Sequence, residues 1–198
     1  MFRSFLAAPL LVATLTPAHG AVLFYDDFSP ETIEFNTTLD NWDIVQGSVD
    51  VVFCAGASNR CVDLDGSTFG TAPTIMQTKS SFGITAGNTY DLAFSIPAIN
   101  LNGNDPFTVS FGSFSQSFDG NPVTAVLSFV ATSNASSKIE FALQSAFNNN
   151  FGPFLSSVSL RETVGTPPPT DVSAVPLPAS ALFLLAGLGM LGVVRRRG

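Results

Sequence analysis

Apolar residues at every second position, cut into short runs by turn formers, are the feature that most restricts this chain. Tyr90, Leu92, Phe94 and Ile96 fall on one side of an extended strand. So do Val123, Ala125, Leu127 and Phe129, and then Ile139, Phe141 and Leu143. Phe107, Val109 and Phe111 form another run, and Gly112-Ser113 separates it from Phe114 and Phe118 as a hairpin turn would. Between the runs stand Gly66-Ser67, Gly87-Asn88, Asn102-Gly103-Asn104-Asp105-Pro106, Asp119-Gly120-Asn121-Pro122 and Asn148-Asn149-Asn150. No segment in this middle region sustains a helical apolar period. A strand with one apolar side must bury it against a second sheet, so the expectation for residues 21–162 is an all-β fold, an antiparallel β-sandwich of jelly-roll type. The phenylalanines, 19 of them, are then core.

At 198 residues the chain has room for one such core with appendages. Only 12% of it is charged, against about 25% in an ordinary globular protein. The polar surface must therefore rest on Ser, Thr, Asn and Gly. All 15 acidic residues lie between Asp26 and Asp171, where only Arg60, Lys79, Lys138 and Arg161 oppose them. Such a field repels phosphate backbones, which argues against nucleic acid as a partner and is compatible with cations and neutral glycans.

The two ends read as addresses. Residues 1–20 have a basic residue at Arg3, an apolar stretch, helix-breaking Pro17 and the small-residue site Ala18-His19-Gly20. This order is that of a secretory signal peptide with its signal helix, cut before Ala21; the alternative is a buried first helix. Cleavage would remove His19, the only histidine. Residues 163–174, with Pro167-Pro168-Pro169, read as a Pro-rich linker. From Leu177 an uncharged run extends to residue 194, and as a helix it would reach about 27 Å, roughly a bilayer core. Arg195, Arg196 and Arg197 follow at once and would hold the C-terminus in the cytoplasm, leaving the middle region outside. The expectation is a C-terminal transmembrane helix at 178–194, as a transient or permanent single-pass anchor. Gly187, Gly189 and Gly192 match a dinucleotide-binding spelling, but no strand precedes them and the apolar run encloses them.

Val175-Pro176-Leu177-Pro178-Ala179-Ser180, then a Leu- and Gly-rich apolar run, then the three arginines, resembles the PEP-CTERM sorting signal over residues 175–198. Leu177 stands between the prolines where the family's core has glutamate. The resemblance implies processing by an exosortase-type enzyme in Gram-negative bacteria that make exopolysaccharide. An ordinary single-pass anchor is the other reading. A second resemblance covers the middle. Asn41-Trp42, Gly47-Ser48-Val49-Asp50, Val62-Asp63-Leu64-Asp65-Gly66, Thr85-Ala86-Gly87-Asn88-Thr89-Tyr90, Phe151-Gly152-Pro153 and Val158-Ser159-Leu160 look like the DUF642-like group with "choice-of-anchor C" exported domains. That likeness implies a galactose-binding-like jelly roll, carbohydrate binding and no catalysis. Ser156 and Ser157 stand where the family's closing strand carries Asp-Asn.

Few residues could carry chemistry. Cys54 and Cys61 enclose a polar loop in an exported chain and are expected to form a disulfide. A two-thiol metal site would lack further soft ligands, and a nucleophilic cysteine would lack a histidine base. Asp63 and Asp65 would share a strand face by period two, as the paired carboxylates of glycoside cleavage or as turn and edge residues beside Gly66. Calcium is the one metal the side chains would suit, through the oxygens of Asp26, Asp27, Glu31, Asp63 and Asp65, although no dense Asp-rich loop is present. No other cofactor is expected. For a glycan, Trp42 flanked by Asn41 and Asp43 offers an aromatic face with an amide and a carboxylate, and Tyr25 is second. Packing of Trp42 into the core is the competing reading.

These readings converge on an exported, non-enzymatic cell-surface or matrix protein, retained with extracellular polysaccharide after exosortase-type processing. The alternatives are a carbohydrate-binding module and a carboxylate-dependent glycoside hydrolase.

Overall fold

The structure, a computed structural model, describes residues 20–54, 60–68, 72–98, 105–144 and 151–165. Residues 1–19 of the expected signal peptide, the linker beyond Gly165, and the tail at 175–198 with its membrane helix lie outside the described residues. Among the described residues no helix is long and apolar enough to cross a membrane.

Every strand pairing is antiparallel. One main sheet runs in the order β1 (Ala21–Asp26), β14 (Ser157–Thr163), β7 (Thr89–Ile96), β10 (Val123–Val130). The other runs β2 (Trp42–Gln46), β5 (Ile75–Thr78), β12 (Glu140–Leu143), β8 (Phe107–Phe111), β9 (Phe114–Phe118). The expected antiparallel β-sandwich is therefore present. Burial alternates without a break along β7, and its inward residues Tyr90, Leu92, Phe94 and Ile96 meet those of β8 and β12. Phe94 holds the two sheets together, its ring 6.0 Å from Phe107, 5.5 Å from Phe141 and 5.1 Å from Phe118. Ring pairs of this kind add about 0.5–1.5 kcal/mol each beyond the area they bury.

Gly112-Ser113 makes the expected turn between β8 and β9, with Phe111 opposite Phe114. Gly112 has φ 61°, a left-handed conformation that suits glycine. The sandwich closes on two flanks: β1 meets β2 through Phe24 and Trp42, at 5.4 Å, and β9 meets β10 through Phe114 and Phe129, at 6.2 Å.

Two small sheets complete the fold. β6 (Phe82–Ile84) pairs with β11 (Ala135–Ser137), and β3 (Asp50–Phe53), β4 (Arg60–Asp63) and β13 (Phe154–Leu155) form the order β13-β4-β3. Val51, Val62 and Leu155 join the main core. On the opposite side Cys61 and Phe154 form a satellite cluster with Cys54, packed by Val52. Cys54 and Cys61 are disulfide-bonded, their Cα atoms 5.5 Å apart.

Two expectations need correction. Phe35, Phe53 and Phe151 are exposed, so the phenylalanines are not all core. Asp63 and Asp65 do not share a strand face, because β4 ends at Asp63 and Asp65 lies in the bend that follows.

Candidate functional site

The one tryptophan organises the flank where β1 meets β2. Asp26 ends β1 and Trp42 begins β2. Trp42 Nε1 donates to Asp26 Oδ2 at 2.9 Å, Asn41 Nδ2 donates to the same oxygen at 3.1 Å, and the Phe28 N–H donates to Oδ1 at 2.8 Å. The buried carboxylate is thereby satisfied. The indole ring packs on Phe24, Phe28 and Phe141, at 5.4, 6.2 and 5.9 Å, and is 1% exposed. Of the two readings of Trp42 the structure shows the packed one: its ring is part of the core, with its N–H already paired. Asn41 is turned to Asp26. Asp43 faces outward on β2 and pairs with Lys138 Nζ at 3.2 Å. Tyr25 is 62% exposed on β1, its hydroxyl donating to Asp27 Oδ2 at 3.4 Å.

Beside this flank opens a cleft of about 360 Å³, bordered by Asn36, Thr37, Thr38, Trp42, Asp43, Ser48 and Lys79. The loop above it is pinned to β3. Glu34 and Val51 exchange backbone bonds at 3.1 and 2.8 Å, Thr37 N donates to Val49 O at 3.1 Å, and Asn36 N donates to Asp50 Oδ1 at 2.7 Å. Lys79 Nζ donates to Leu39 O and Asp40 O at 2.8 and 2.9 Å, which secures the other end of the loop. With its backbone so fixed, the loop presents Phe35 to solvent at 67% exposure, directly before the cleft residues. The alternating apolar pattern does not mark Phe35 as a site residue. Its signal is its position outside any alternating run, immediately ahead of the polar Asn36-Thr37-Thr38.

A second group of interest is acidic and internal. Asp50 on β3 lies opposite Asp63 on β4, and both are buried. Asp50 accepts from Asn36 N, Ser67 N and the Ser67 hydroxyl. Asp63 Oδ1 accepts from Asp65 N at 3.0 Å and Gly152 N at 2.8 Å. Gly152 must be glycine for this contact, since a Cβ there would stand 2.6 Å from Asp65 N. Burial pushes the Asp63 carboxyl up to about 8, partly offset by those two N–H donors and reinforced by the charges of Asp50 and Asp65. Burial, with Asp65 nearby, also raises Asp105 to about 6. A carboxyl poised near neutrality can serve acid–base chemistry, but Asp63 is 2% exposed and offers no surface to a substrate.

Four of the five carboxylates suited to calcium accept hydrogen bonds within the fold. Asp26 serves Trp42, Asp27 Oδ1 accepts from Ser29 N, Glu31 Oε1 accepts from Asp40 N, and Asp63 serves Asp65 and Gly152. Among the described residues no three acidic, histidine or cysteine side chains form a group that could hold a metal ion.

Residues 174–197 match the PEP-CTERM protein-sorting motif. No match is found among curated proteins. Several solved structures are similar in shape. The CBM35 module from Paenibacillus barcinonensis is 8% identical, with a TM-score of 0.38, over 61% of this chain and 92% of that one. The CBM22-1-CBM22-2 tandem domain of Paenibacillus barcinonensis Xyn10C is 16% identical, with a TM-score of 0.41, over 82% of this chain and 50% of that one. A CBM35 module from Cellvibrio japonicus Abf62 is 11% identical, with a TM-score of 0.37, over 67% of this chain and 96% of that one.

Proposed function

We propose that this chain is an exported, non-enzymatic protein whose β-sandwich is delivered to the cell surface or extracellular polysaccharide matrix after exosortase-type processing of its tail. The sorting motif at residues 174–197, beginning shortly after the last described residue of the sandwich, carries this reading. The signal-peptide pattern at residues 1–20 supports it, since both ends then imply the same topology. A non-catalytic role agrees with the placement of the sole histidine, His19, in the leader and with the burial of Asp63.

The test compares the full chain with one lacking residues 174–198. The full chain is expected to mature to a smaller product that partitions to the surface or polysaccharide fraction, while the truncated chain skips that processing and distribution. Identical maturation and partitioning of the two chains would overturn the reading.

The cleft beside β2 favours a second reading, binding of a neutral glycan chain. Hydroxyl, amide, carboxylate and ammonium groups border one opening, and exposed Phe35 directly precedes its lining residues in the chain, the group types that sugar hydroxyls and ring faces require. Phe35→Ala and Thr38→Ala are expected to weaken retention on the producing strain's polysaccharide, measured by co-sedimentation. Undiminished retention in both variants would count against a glycan at this cleft.

A further inference from the structure

The loop above the cleft carries one residue too many for the chain it pairs with. Glu34 and Val51 exchange backbone bonds at 3.1 and 2.8 Å, so an undistorted antiparallel ladder would bring Asn36 to Val49 next. Instead Thr37 N donates to Val49 O at 3.1 Å. Phe35 and Asn36 therefore stand together opposite Asp50. This is the two-against-one arrangement of a β-bulge, which bends the chain and re-aims its side chains.

Asn36 absorbs the distortion. Its φ is 51°, in the left-handed region that asparagine tolerates better than most side chains. The residue is then held from two directions: its N–H donates to Asp50 Oδ1 at 2.7 Å, and its Oδ1 accepts from the Thr68 hydroxyl at 2.6 Å. Asp50 is 2% exposed and also accepts from Ser67 N, so the anchor is itself fixed in the small sheet. A flipped amide would lose the bond from Thr68, and Nδ2 makes no hydrogen bond among the described residues. Asn36 lines the cleft together with Asp43 of β2. A left-handed side chain locked in one orientation at the border of an opening is strain placed where a ligand could use it.

We propose that Asn36 is the specificity-determining residue of the cleft, its Nδ2 donating to a hydroxyl oxygen of an uncharged sugar ring. This inference rests on the glycan reading of the same cleft. Asn36 supplies a donor and Asp43 an acceptor to one opening, and a sugar hydroxyl is both acceptor and donor. A uronate would instead bring its carboxylate toward Asp43, within a region where 15 acidic residues face only Arg60, Lys79, Lys138 and Arg161. Because the fold already orients the amide, binding does not have to order it, and more of its hydrogen bond reaches the affinity.

The test uses the full chain and exopolysaccharide purified from the producing strain, with retention measured by co-sedimentation. Asn36→Gly suits the left-handed backbone and removes the amide. Asn36→Asp keeps an acceptor for Thr68 and removes the amide N–H donors. Both are expected to weaken association about threefold to tenfold, the effect of one hydrogen bond, with Asn36→Gly melting close to the parent. Asn121→Asp adds the same charge at an exposed amide in the turn after β9 and is expected to bind as the parent does. Polygalacturonate, rich in carboxylates, is expected not to compete. Parent-level retention of both Asn36 variants overturns the inference, even where Phe35→Ala weakens binding. An equal loss in Asn121→Asp, or competition by polygalacturonate, also overturns it. No retention of the parent overturns the glycan reading and this inference with it. If Asn36→Gly fails to fold, Asn36→Asp decides alone.

Discussion

The indole nitrogen of Trp42 and the carboxylate of Asp26 meet at 2.9 Å inside the sandwich, joining the first residue of β2 to the last of β1. Trp42→Phe keeps a ring among Phe24, Phe28 and Phe141 but withdraws a donor from a buried carboxylate. It is expected to lower the unfolding free energy by about 1–3 kcal/mol, and Trp42→Ala by about 3–5 kcal/mol. Denaturant unfolding followed by circular dichroism measures both. Because the ring is core, Trp42→Phe is expected to retain polysaccharide as well as the parent does wherever it remains folded.

Asp63 ties stability to pH in an unusual direction. Its carboxyl is pushed up to about 8 in the fold, whereas an aspartate in the unfolded chain releases its proton near pH 4. Between those values the folded state binds the extra proton, so this group makes stability fall as pH rises, by up to about 1.4 kcal/mol per pH unit. Its penalty is absent below about pH 4 and complete above about pH 8. Asp105, raised to about 6, adds the same sign over the lower part of that window. Asp63→Asn keeps an acceptor for Asp65 N and Gly152 N while abolishing the titration. Its urea midpoint is expected to exceed the parent's at pH 8, with the advantage shrinking toward pH 5. A variant advantage that instead grew toward acid would contradict this account.

The strands that were legible in the sequence are those whose partners merely complete a pattern already present. The alternation from Tyr90 to Ile96 specifies β7 because a two-residue period leaves one face to bury, whichever strand packs against it. Gly112-Ser113 is similarly local, a turn written in two residues. Trp42 was ambiguous because its burial depends on Asp26, which the chain returns to only through tertiary pairing. Phe35 is not legible in the sequence because its exposure follows from bonds between its loop and the β3 region, made largely by backbone atoms that no sequence pattern records. The misplacement of Asp65 has the same origin: its N–H turns back to Asp63 beside the close approach of Gly152.

The disulfide supports a satellite cluster rather than the main core. Cys54, Cys61 and Phe154 pack with Val52 on one side of the small sheet, while Val51, Val62 and Leu155 face the other way. A loop this short is closed at an entropic gain of about 2–3 kcal/mol relative to the reduced unfolded chain. Replacing both cysteines with alanine is expected to lower stability by about that amount. The loss should be local, with hydrogen exchange accelerated in β3, β4 and β13 and little changed in β7 and β12. Uniform acceleration across both main sheets would show that the cross-link supports the whole fold.

Tyr90 fastens the last strand where the sandwich gives way to the tail. Its hydroxyl donates to Glu162 Oε1 at 2.6 Å and accepts from Thr85 N at 2.7 Å, while Asn88 Nδ2 donates to the same Glu162 oxygen at 2.8 Å. Asn88 Oδ1 in turn accepts from Gly165 N at 3.1 Å. The bond from Tyr90, then that from Asn88, holds the Glu162 carboxyl below its ordinary range. A lowered carboxyl contributes stability above its unfolded value and loses it as pH falls. Solvent screening keeps the charge part of this small at a group only partly buried. Tyr90→Phe preserves the stacking on Phe129, 5.6 Å away, and removes the hydroxyl bonds, so it is expected to cost about 1–2 kcal/mol near neutrality. The deficit relative to the parent should narrow in acid, where Glu162 is protonated in both proteins. Limited proteolysis near Thr163 is expected to quicken in the variant. If its cleavage rate there matches the parent's while stability still falls, Tyr90 braces the core and does not secure the end of β14.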